Sequence, residues 1–151
     1  MTRITMDNLH DFIRGTAILG TGGGGDPYVG RLMLEQELVK CGGIDLIDPD
    51  DVPDDMFAIS VACMGAPTVF VEKLPNAQAT ITAMRKVEKE LGRKFNAIIP
   101  LEAGGINATL PLVVAAQMGL PVVDGDGMGR AFPEFQMTTF NIYGVNCSPF
   151  V

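Results

Sequence analysis

Histidine is almost missing from this chain: His10 is the only one in 151 residues. A histidine-rich metal centre is excluded within one chain, and a Ser-His-Asp triad would have to be built on His10, in an amphipathic stretch far from any nucleophile motif. Cysteine is scarce too. Cys41, Cys63 and Cys147 are an odd number with no short paired spacing, which argues against a disulfide frame or a zinc site and fits a reducing cytoplasm. Cys63 falls inside an apolar run with no base near it in sequence and reads as a buried, inert thiol. Positive charge is short: 11 Lys and Arg stand against 18 Asp and Glu, a net charge of −7. Nucleic acid and anionic membranes are poor candidates for a main partner of such a chain. No apolar run reaches the roughly 18 residues of a membrane span. The N-terminus lacks the apolar segment of a signal peptide, and there is no internal repeat. A soluble cytoplasmic domain is expected.

What is present is apolar residues, 47% of the chain. A chain of this size suits one domain, burying roughly 68–70% of its unfolded surface. Helical periodicity is predicted from Thr5 to Leu19, with Leu9, Phe12, Ile13, Thr16 and Ala17 on one stripe, and from Pro27 to Cys41, with Val29, Leu32, Met33, Leu38 and Val39. Asp26 followed by Pro27 is a helix start, and Gly42-Gly43 a helix end. Ile44 to Ile47 reads as a short strand. The acidic, proline-broken segment Asp48 to Asp55 reads as a solvated turn without EF-hand spacing. Met56 to Met64 reads as a strand buried on both faces, with Val69 to Val71 extending it or starting another. Asn76 caps a predicted helix over Ala77 to Leu91. Ala97 to Leu101 is a strand, Thr109 to Met118 a helix with Pro111 in its first turn, and Leu120 to Val123 a strand. Met137 to Tyr143 alternates like a half-exposed strand. The order strand, strand, helix, strand, helix, strand predicts an α/β fold: a mainly parallel sheet flanked by helices in three layers.

In such sheets ligands bind beyond the carboxyl ends of the strands. Three strands end unusually: at Gly65-Ala66-Pro67-Thr68, at Glu102-Ala103-Gly104-Gly105-Ile106-Asn107, and at Asp124-Gly125-Asp126. The glycine loop Gly22-Gly23-Gly24-Gly25-Asp26 feeds a helix N-terminus, a ready site for an anion or polar ligand. It has neither the dinucleotide fingerprint nor the Walker spacing, so no nucleotide cofactor is expected. Asp124 and Asp126, if extended, share a face about 7 Å apart. Close carboxylates either hold a divalent metal or drive one carboxyl into acid–base range. The expected catalytic groups are therefore Asp124, Asp126 and Glu102. Substrate-binding groups are expected at Gly22, Gly23, Gly24, Gly25, Asp26, Gly65, Thr68, Asn107, Arg130 and Glu134, with Arg130 fixing a substrate carboxylate.

Several motifs resemble one family. Gly20-Thr21-Gly22-Gly23-Gly24-Gly25-Asp26-Pro27-Tyr28, Met64-Gly65-Ala66-Pro67-Thr68-Val69, Glu72-Lys73-Leu74-Pro75 and Pro121 through Glu134 are similar to the N-terminal domain of the S-methyl thiohydantoin desulfurase family. This bacterial family is associated with hydantoinases. The resemblance covers nearly the whole chain. It implies an α/β domain followed in the family by a β-rich one, and hydrolytic removal of sulfur from an S-methyl thiohydantoin-like ring, giving a hydantoin and a thiol. Family members run to more than twice this length, so the chain is expected to correspond to the first domain, with the C-terminal domain absent.

Two functions stay open at this point. The first is a hydrolase domain for a thiohydantoin, hydantoin or related cyclic amide, in which Asp124 or Asp126 activates water and Glu102 assists proton transfer. The second is a small-molecule binding or assembly module that needs a second domain or subunit. Phe132, Phe135, Phe140 and Phe150 belong either to the core or to a docking surface for a second domain or copy.

Overall fold

The computed structural model describes residues 2–66, 68–73 and 75–151, with the backbone but not the side chain of Val71. Pro67 and Leu74, quoted in the motifs above, lie outside the described residues. The elements run β1 Thr2–Ile4, α1 Leu9–Gly20, α2 Pro27–Cys41, β2 Ile44–Ile47, β3 Ala58–Val61, α3 Thr68–Glu72, α4 Gln78–Leu91, β4 Ala97–Pro100, α5 Ile106–Met118, β5 Val122–Val123 and α6 Thr139–Ile142. Single 3-10 turns lie at Pro49–Asp51 and Phe135–Met137.

The sheet order is β1-β2-β5-β4-β3. Strands β2, β5, β4 and β3 are parallel, and β1 joins antiparallel with Thr2 opposite Leu46. The fold is α/β, a mostly parallel sheet flanked by helices, as the residue pattern predicts. Central strands read apolar on both faces: Ala97, Ile98, Val122 and Val123 are all buried. β3 does not match that expectation. It is a four-residue edge strand on which Ala58 and Ser60 are exposed; a continuous apolar run alone does not distinguish a central from an edge position.

Thr2–Ile4, for which the residue pattern gives no reading, is a strand that pairs with β2. Three local readings also change. Residues 68–72 form a short helix instead of a strand. The Met137–Tyr143 stretch is a turn and a helix: the buried Thr138 caps α6 through a bond from the Asn141 amide to Oγ1, and the Thr139 amide donates to the Gly127 carbonyl at 2.8 Å. Its alternation does not report a sheet. Finally, α5 begins at Ile106, three residues earlier than read, so Pro111 lies inside the helix.

Packing decides which helix faces are buried. On α2 the inward residues are Gly30, Leu34, Glu37 and Leu38, while Leu32 and Val39 face out. Gly30 sits against Thr109, where a methyl group would overlap the Thr109 hydroxyl, so α2 and α5 cross closely. Among the described residues no helix is long and apolar enough to cross a membrane.

On α4 the buried Glu88 accepts from Arg85 at 2.7 Å and from the Phe95 amide at 3.0 Å. Burial pushes its carboxyl upward, but those two bonds and the charges of Arg85 and Lys94 outweigh burial and hold it below its ordinary value. A depressed carboxyl contributes stability above the unfolded value of about 4.3, and that stability is lost as pH falls through the folded value. The stability gap between wild type and Glu88→Gln, read from urea midpoints, is expected to shrink between about pH 5 and pH 3. A gap constant over that window would refute the assignment.

Candidate functional site

The parallel strands bring the carboxyl ends of β3 and β4 to one edge, and a cavity of about 590 Å³ opens there. Its floor comes from the residues after β3 (Ala62 to Gly65) and after β4 (Leu101, Glu102), and from the start of α5. The glycine loop between α1 and α2 closes one side. Met128, Ala131, Phe132 and Pro133 close another.

The glycines have a packing reason that the sequence does not disclose. The loop interlocks with the turn before α5. The Asn107 amide donates to the Gly24 carbonyl at 3.2 Å, and the Gly105 amide to the Thr16 carbonyl at 3.1 Å. A Cβ on Gly24 would strike the Gly104 carbonyl, and one on Gly105 would strike the carbonyls of Gly24 and Gly25. Both residues also have positive φ, 76° and 59°. Backbone approaches this close admit only glycine.

Asn107 organises the polar floor. Its Nδ2 donates to Glu102 Oε1 at 2.5 Å and to the Cys63 carbonyl at 3.0 Å, and its Oδ1 accepts from the Cys63 amide at 2.7 Å. One buried side chain thus ties α5 to the end of β3 and fixes a carboxylate that is only 6% exposed. No second hydrogen bond to the Glu102 carboxyl is found among the described residues, yet no buried side-chain atom there lacks a partner. The other carboxyl oxygen therefore faces open space. Cys63 is also one of the residues that line the cavity, with its side chain against the core, and burial pushes its thiol above its ordinary value.

The cavity gathers Gly22, Gly23, Gly24, Gly25, Asp26, Gly65, Glu102 and Asn107. The other expected residues lie elsewhere. Asp126 accepts from the Ala103 amide at 2.8 Å and from the Gly129 amide at 2.9 Å, so its carboxylate holds the loop. Asp124 is exposed and, with Asp126, borders a separate hollow of about 260 Å³ between α1 and the sheet. Arg130 is exposed, its guanidinium 4.9 Å from the centre of the Phe132 ring. Glu134 is exposed beside Gln136, and Thr68 is exposed at the start of α3. Asp26 caps α2, accepting from the Tyr28 amide at 2.9 Å, as the Asp26-Pro27 pair predicts. Among the described residues no group of three or more His, Cys, Asp or Glu side chains could hold a metal.

Residues 7–151 match the family model described as S-Me-THD-like, N-terminal domain. The chain belongs to this family. A crystal structure of a protein from Chromobacterium violaceum has the same fold, with a TM-score of 0.73 and 27% identity over 96% of this chain. The match takes in 40% of that protein, so this S-Me-THD-like domain spans well under half of its length. No curated protein matches the chain.

Within the S-Me-THD-like domain, reasoning from sequence missed the apolar walls (Met64, Phe70, Met128 and Phe132) and the thiol of Cys63. Apolar residues next to a motif look like core. Only the position of Cys63, two residues before Gly65 at a strand end, offered a signal. Asn107→Ala would remove three hydrogen bonds and leave the Glu102 carboxylate buried without its donor. A loss of about 2–4 kcal/mol is expected in urea unfolding. A loss under about 1 kcal/mol would mean that water replaces the amide without penalty.

Proposed function

We propose that the cavity binds a small cyclic amide of the S-methyl thiohydantoin or hydantoin type, and that Glu102 moves the proton during hydrolytic loss of sulfur. Water adds across the ring C=N bond at the carbon that carries the S-methyl group, Glu102 takes one proton from that water and passes it to the ring nitrogen, and the C–S bond then breaks as the remaining hydroxyl proton is transferred to the departing thiol. The ring carbon becomes a carbonyl. The observation that supports this reading is the carboxyl of Glu102, held at one oxygen by Asn107 and bordering the cavity with the other. A fixed carboxylate in a largely apolar hollow suits general acid–base work. Asp124 and Asp126, the water-activating groups suggested by spacing, lie outside this cavity, so the role passes to Glu102. Apolar walls that include two methionines and two phenylalanines suit a thioether.

The test is thiol release from an S-methyl thiohydantoin, by this chain and by a longer family member. Absence of release by the longer protein would reject the reaction. A second reading, a binding or assembly module, has support in the exposed apolar side chains late in the chain: Ile142, Tyr143, Val145 and Phe150 are all more than half exposed. Ligand binding without turnover in the longer protein would favour it.

A further inference from the structure

We propose that the cavity selects neutral or cationic ligands and rejects anionic ones: its substrate is an uncharged or protonated ring that presents N–H donors, not one carrying a carboxylate or phosphate toward the site. The inference deepens the reading of the same cavity, but its charge argument does not depend on turnover. Two carboxylates, Glu102 and Asp26, line the cavity, and among the described residues no Lys, Arg or His does. The Tyr28 amide at the start of α2 is already bonded to the Asp26 carboxylate, and Glu102 stands five residues before Asn107 in the first turn of α5, bonded to the Asn107 side chain. A helix N-terminus that already faces a protein carboxylate has little left for a second negative charge. Arg130, the cation expected to grip a substrate carboxylate, packs on Phe132 outside the lining. An anion entering would meet the buried Glu102 charge with no counter-charge among the described lining residues. A ring N–H would instead donate to the free Glu102 oxygen, and a protonated amidine-like ring would add charge attraction.

Cys63 makes the potential measurable, because it is one of the residues that line the same cavity. With Cys41 and Cys147, both exposed, replaced by Ser, Cys63 is treated with trimethylammonioethyl or sulfonatoethyl methanethiosulfonate. The thiol gives its proton to solvent, its sulfur attacks the reagent, an S–S bond forms and methanesulfinate leaves, so the chemistry is the same for both and only the charge differs. A companion variant keeping Cys41 alone reports the general field of the net-negative chain. The cation-to-anion rate ratio is expected to be about tenfold larger at Cys63 than at Cys41, and Glu102→Gln should remove most of that excess. Equal ratios at the two sites, or an excess that survives Glu102→Gln, would overturn the proposal. Should the partly buried Cys63 thiol react with neither reagent, the same pair is applied to Met64→Cys, at an exposed position of the cavity wall, and the same outcomes decide. Failure of thiol release with this charge preference intact rejects only the reaction, not the ligand class.

Discussion

Gly105→Ala is expected to destabilise the domain by about 2–5 kcal/mol, a large share of the roughly 5–15 kcal/mol available to a domain of this size. Two costs combine. At φ 59° an L side chain is strained by about 1–2 kcal/mol. The added methyl would also overlap the carbonyls of Gly24 and Gly25, which are backbone and shift only with the loop, and overpacking of this kind adds about 1–3 kcal/mol. Gly22→Ala is the matched control. Its φ is 91°, but nothing lies within 4 Å of the added atom, so about 1–2 kcal/mol is expected from strain alone. Urea midpoints of the two variants at neutral pH decide the matter. Equal losses would mean that glycine is needed for conformation and that the loop interlock contributes little.

For the proposed hydrolysis, Glu102→Gln is expected to lower kcat/KM for thiol release by about a hundredfold to ten-thousandfold, the range for loss of a general acid–base group. Glutamine keeps the oxygen that Asn107 grips, so the fold and cavity shape are preserved. What disappears is the acid–base group itself. Asp126→Asn provides the contrast, because that carboxylate is spent on the amides of Ala103 and Gly129. Its loss should lower stability by about 1–3 kcal/mol and leave the proton transfer step in place. The opposite pattern, full turnover in Glu102→Gln and none in folded Asp126→Asn, would return the base to the Asp124–Asp126 segment.

Local signals in this chain were dependable where short-range physics is decisive. Asp26-Pro27 opens α2, Gly42 closes it, and Gly92 and Gly119 close α4 and α5. Each is a matter of caps and φ, settled within a few residues. Expectation failed where neighbours distant in sequence took over. The alternation of Met137 to Tyr143 lost to a threonine cap and a bond to Gly127. Val39 sits at helical spacing from the core face yet is 73% exposed, because the close crossing at Gly30 and Thr109 turns α2 toward Leu34 and Leu38.

The amino-acid sequence by itself determined the α/β order of elements, the family, and the gathering of unusual loops at the carboxyl edge of the sheet, since periodicity, capping and parallel crossover are all written along the chain. Only the tertiary structure decided which acid borders the cavity. Asp124, Asp126 and Glu102 look equivalent as residues at strand ends. Asp126 is consumed by the amide of Ala103, 23 positions away, Asp124 faces another hollow, and Glu102 is fixed by the same asparagine that clasps Cys63, 44 positions distant. A carboxylate's task is set by which donors reach it, and those donors arrive through packing.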